Sequence, residues 1–102
     1  MITVKLKQSE NKLQIDFHGH AAYAERGKDI VCAAVSALYY TLTEGIRQQA
    51  PAAIAVKGES VSLDLSSSAA AAIVKAVMSS LLSIADAYPN HIRLTCPSGI
   101  RQ

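Results

Sequence analysis

The chain contains no tryptophan, one phenylalanine and four tyrosines in 102 residues. It therefore offers few rings on which nucleobases stack, and their spacing forms no base-stacking motif. Charge is also sparse: ten Lys and Arg against eight Asp and Glu leave a formal net charge of +2. The basic residues are scattered instead of gathered into a run or stripe, so a direct nucleic-acid partner is not supported. Only two cysteines occur, Cys32 and Cys96, in different settings. That excludes a disulfide framework and fits reduced thiols in a reducing compartment. No apolar run reads as long and uninterrupted enough for a bilayer, and Met1-Ile2-Thr3-Val4-Lys5 lacks the basic start and apolar run of a secretory signal. A cytoplasmic protein without a membrane partner is expected.

Half of the residues are apolar and 18% are charged, the balance of a chain that folds. Its length suits a single domain over 1–102 with one core. Ile2, Val4 and Leu6 alternate with Thr3, Lys5 and Lys7; after the polar Gln8-Ser9-Glu10-Asn11 turn, Leu13, Ile15 and Phe17 alternate with Gln14, Asp16 and His18. This predicts a β-hairpin with one buried face. A helix is expected over 30–49, stopped by Pro51, with Val31, Ala34, Val35, Leu38, Leu42 and Ile46 on its apolar stripe and Cys32, Ser36, Tyr39 and Thr43 along the edge. Residues 54–57 and 61–65 flank Gly58-Glu59-Ser60 as a second hairpin. Ser68 is the expected N-cap of a second helix over 69–88, stopped by Pro89, with Ile73, Val77, Leu81 and Ile84 buried. Residues 91–94 form a last strand before a frayed tail from Thr95. The order is ββαββαβ: an α+β fold with two helices packed on one face of a mixed or antiparallel sheet.

The chemistry concentrates between His18 and Ser36. Cys32 falls just inside a helix start, where unpaired N–H groups and the helix dipole favour an anion, so a thiolate is supported there. His20, at the end of the preceding strand, is a candidate to hold that thiolate and return a proton to a leaving amine. The same N–H groups, that of Cys32 included, suit an oxyanion hole. A cysteine beside Ala33, Ala34 and Val35 is equally at home as core filling, and a histidine at a strand end as a solvated residue. Asp29 reads first as the helix N-cap and second as a group orienting the His20 ring. Ser36, one turn beyond Cys32, either supports the thiol or bonds the carbonyl four residues back. Gly19 and Gly27 bracket a loop of Ala21, Ala22, Tyr23, Ala24, Glu25, Arg26 and Lys28, suited to a lid over substrate or to plain tight turns. A zinc site from His18, His20, Cys32 and His91 lacks any CxxC or HExxH pair, so no metal or other cofactor is expected.

Taken together, Gly19-His20-Ala21, Gly27 and Asp29-Ile30-Val31-Cys32-Ala33-Ala34-Val35-Ser36 resemble the signature of the ribosomal-processing cysteine protease family, Prp. The resemblance implies a cytoplasmic, usually homodimeric cysteine endopeptidase. Its substrate would be the short N-terminal extension of the large-subunit ribosomal protein numbered twenty-seven, removed during ribosome assembly. It also implies Cys32 as nucleophile, His20 as general base, Asp29, Ser36, Gly19 and Gly27 as supporting residues, and the loop after His20 as the segment that meets substrate. The alternatives are a non-catalytic ribosome-assembly or protein-binding module of the same fold, and a redox-sensing thiol, against which the lack of a nearby resolving cysteine counts.

Overall fold

Alternation of apolar and polar residues builds the first hairpin, β1 (Ile2–Ser9) and β2 (Lys12–His18). The computed structural model describes residues 1–19 and 30–96. The two strands run antiparallel from Ser9 opposite Lys12 to Thr3 opposite His18, closed by Glu10 and Asn11. Glu10 takes a positive φ of 56° to make this turn. Helix α1 (Ile30–Gln49) follows as expected, and Pro51 opens a 3₁₀ turn, Pro51–Ala53, instead of prolonging it. The second hairpin is β3 (Ile54–Lys57) and β4 (Ser60–Asp64), joined by Gly58 and Glu59. Gly58 has φ +61° and open space around its Cα, so it is the backbone angle that calls for glycine there.

Helix α2 spans Ser68–Ala87, and its cap is Ser67, one residue before the position expected. The Asp64 carboxylate accepts from both the N–H and the hydroxyl of Ser66, which ends β4 and leaves Ser67 extended. The Ser67 hydroxyl oxygen then accepts from the Ala70 N–H at 3.2 Å, a cap of about 1 kcal/mol, while Ser68 is already helical. A second correction concerns α2 as a whole. By length and composition it is apolar enough to cross a membrane, because Lys75 and Asp86 are its only charged residues. In the structure Ala70, Val74, Val77 and Leu81 form a stripe buried in the core, while 22% of that apolar window is buried in all.

The last strand, β5, is Ile92–Thr95, so Thr95 is a paired residue opposite Lys5 and not the start of a tail. The described part of that tail ends at Cys96. The sheet order is β3-β4-β2-β1-β5, antiparallel except for the β1 and β5 pair, which makes the sheet mixed. Two helices cover the face formed by Ile2, Val4, Leu13, Ile15, Val61, Leu63 and Ile92. From α1 the core takes Val31, Val35, Leu42 and Ile46. Burying side chains such as Leu42, Ile46 and Leu81 contributes about 1.5–3 kcal/mol each. Of the expected stripes, Ala34, Leu38, Ile73 and Ile84 are only half-buried, whereas Thr43 is buried, its hydroxyl satisfied by donation to the Tyr39 carbonyl.

Candidate active site

The end of β2, the start of α1 and the tip of the β3–β4 hairpin meet around a cleft of about 240 Å³. Each wall follows from the fold. Cys32 is the third residue of α1 and half-buried, so it borders the core at the helix end whose first N–H groups have no intrahelical acceptor. One turn on, Ser36 is exposed and lines the same cleft. Tyr39 comes next along that face, its ring edge-on to Phe17 at 5.1 Å between centroids. Ile2, Val35, Phe17 and Tyr39 make the apolar floor.

Gly19 closes the strand side with a φ of +81°. A Cβ on it would stand 2.5 Å from the Met1 carbonyl oxygen, so both the angle and the space call for glycine. Beside the strand end lies the hairpin tip, tied to β2 because the Phe17 N–H donates to the Glu59 carbonyl at 3.1 Å. His18 is exposed and also lines the cleft; its Nδ1 stands 3.4 Å from Glu59 Oε1, an ion pair only when the imidazole is protonated.

A hydroxyl on the outer sheet face holds the hairpin in register. Ser60 donates to Asp16 Oδ1, and Gln14 donates to the same carboxylate at 3.1 Å. Those two donors, Ser60 first, hold the Asp16 carboxyl below its ordinary range. A depressed carboxyl contributes stability above its ordinary value and loses it as pH falls through its lowered one. Ser60→Ala is therefore expected to be less stable than wild type near neutrality, with the two urea midpoints converging as pH is lowered below 4. A gap that stays constant with pH would show that Ser60 does not hold the ionised form.

Of the residues expected to act, Cys32, Ser36 and Gly19 share this cleft. His20, Ala21, Ala22, Tyr23, Ala24, Glu25, Arg26, Gly27, Lys28 and Asp29 lie outside the described residues. His91 sits in the turn before β5, edge-on to Tyr88, and among the described residues no three of His, Cys, Asp and Glu converge as metal ligands. Phe17, Tyr39, Gly58 and Glu59 also line the cleft, and the sequence marks none of them as a cleft residue. Phe17 and Tyr39 carry the signature of core and core edge, and Glu59 reaches the cleft only through long-range strand pairing, Asp16 opposite Ser60.

Residues 1–93 match the family model of the cysteine protease Prp. The chain belongs to the Prp family. It is therefore a cysteine protease, and its ββαββαβ order with a five-stranded mixed sheet is that of the Prp structures. The essential ribosomal processing protease Prp from S. aureus, solved with a covalently linked product peptide, is 28% identical, with a TM-score of 0.74 over 94% of this chain and 99% of that one. The S. aureus protease with a substrate peptide is 25% identical, with a TM-score of 0.70 over the same shares. SMU.848 from Streptococcus mutans, at 24% identity and a TM-score of 0.77 over 94% and 93% of the two chains, shares the fold. No curated protein matches the chain significantly.

Proposed function

We propose that this Prp-family protease uses Cys32 as nucleophile and His20 as general acid and base, supported by Asp29 and Ser36, to cut a peptide seated in the cleft. One observation carries this reading: a cysteine protease needs a cysteine, and Cys32 is the one cysteine within the matched residues 1–93 and lines the cleft. Gly19, which also lines it, immediately precedes His20 in the chain.

In the proposed reaction the Cys32 thiolate attacks the scissile carbonyl carbon, and N–H groups at the start of α1 receive the charge that develops on its oxygen. The carbon–nitrogen bond then breaks as the protonated His20 gives its proton to the leaving amine. A water molecule surrenders a proton to His20 and attacks the thioester, releasing the peptide carboxylate and regenerating the thiolate.

For the substrate we propose the N-terminal extension of the large-subunit ribosomal protein numbered twenty-seven, removed in the cytoplasm during ribosome assembly by a homodimer of this single-domain chain. The S. aureus relative, a ribosomal processing protease crystallised with substrate and product peptides, supports a ribosomal peptide substrate. The test is to incubate the protein with that ribosomal protein bearing its extension and to follow the N-terminus by mass spectrometry. The extension is expected to disappear at one bond. An intact N-terminus, under conditions where the enzyme cuts other peptides, sinks the substrate assignment alone.

A further inference from the structure

The cleft is uneven in its chemistry. Its floor is apolar, built from Ile2, Phe17, Val35 and Tyr39, whereas its rim at the hairpin tip carries a carboxylate, that of Glu59. Among the described residues lining the cleft, Glu59 is the one acid, and no lysine or arginine stands with it. The hairpin tip that carries this charge is held by its backbone. Gly58 sets the turn with its positive φ, and the Glu59 carbonyl accepts from the Phe17 N–H. The side chain itself is 68% exposed, so it meets whatever enters the cleft without first being dug out of the protein. Its one described partner, His18, balances it only when protonated and is itself 54% exposed.

We propose that Glu59 is a specificity-determining residue of this cleft, selecting peptides that carry a basic side chain next to the residue bound on the apolar floor and rejecting those that carry an acidic one. This rests on the reading of the cleft as the peptide site. An apolar floor binds one side chain by burial and is indifferent to charge nearby, whereas a carboxylate at the rim separates Lys from Glu by attraction to one and repulsion of the other. The pair is solvent-exposed, so the discrimination is modest and salt-sensitive.

The experiment uses labelled peptides with one fixed apolar residue flanked by Lys or by Glu. Binding to Cys32→Ala is measured by fluorescence anisotropy, and cleavage by the Cys32 enzyme is followed as kcat/KM. The Lys peptide is expected to bind about fivefold more tightly than the Glu peptide at low salt. The ratio should shrink at high salt, collapse to about one in Glu59→Gln and invert in Glu59→Lys, with kcat/KM following the same order. A Lys preference that survives unchanged in Glu59→Gln, no preference at all, or no binding of either peptide overturns the assignment. A Glu59-dependent preference in binding without any Cys32-dependent cleavage leaves Glu59 standing and overturns the catalytic role of Cys32 instead.

Discussion

Cys32→Ala is expected to lose peptide hydrolysis by on the order of 10⁴-fold or more while keeping its fold. The two halves of that expectation have separate causes. With Cys32 as the proposed nucleophile, removing its sulfur leaves no acyl-enzyme route, and the cleft can only position a substrate that water must attack unaided. The fold is spared because Cys32 is half-buried at the edge of the core, and alanine is the best helix former for the vacated position. A stability loss below about 1 kcal/mol is expected, read as a nearly unchanged urea midpoint. Cys96→Ser is the matched control, since Cys96 follows β5 and lies beyond the residues that match the protease family. Activity that survives Cys32→Ala and disappears in Cys96→Ser would reverse the assignment.

Whether a feature depends on residues near or far in the chain decides how legible it is in the sequence. The first hairpin was legible because alternation from Ile2 to Phe17 fixes which side chains are buried, and the structure buries Ile2, Val4, Leu13 and Ile15. Helix α1 covers the residues its apolar period marks and ends before Pro51, as expected. The cap of α2 is Ser67 and not the expected Ser68, a difference the sequence hides because Ser66, Ser67 and Ser68 are chemically equivalent as caps. What separates them is the Asp64 carboxylate gripping Ser66. Register at the far strand was less legible, since Thr95 owes its place in β5 to pairing with Lys5, ninety residues away in the sequence. At the site, Cys32 and Ser36 were legible because one helical turn puts them on one face. Glu59 was not, because nothing local in Gly58-Glu59-Ser60 says that β4 pairs with β2 and carries the hairpin tip to the Cys32 cleft.

Gly19→Ala is expected to damage both stability and catalysis, and to damage catalysis more. At φ +81° an alanine bears a strain of about 1–2 kcal/mol. Its Cβ would also stand 2.5 Å from the Met1 carbonyl oxygen, which is backbone and cannot rotate aside as a side chain would. Ile2 is the next residue; its N–H donates to the His91 carbonyl and its side chain is buried, so moving Met1 pulls on the β1 and β5 pair and on the cleft floor. Strain and displacement together predict a loss of about 2–4 kcal/mol in urea unfolding, a large fraction of a stability of this size. Relief of the clash in the other direction moves Gly19 itself, and His20, the proposed general acid and base, follows it directly in the chain. A shift on the order of 1 Å at a proton-transfer group costs about 10²-fold in rate. Catalysis measured at a temperature where the variant remains folded by circular dichroism should therefore still be depressed by roughly that factor. If kcat/KM recovers fully once folding is secured, Gly19 serves only the seating of the N-terminus, and the strand end does not set the position of His20.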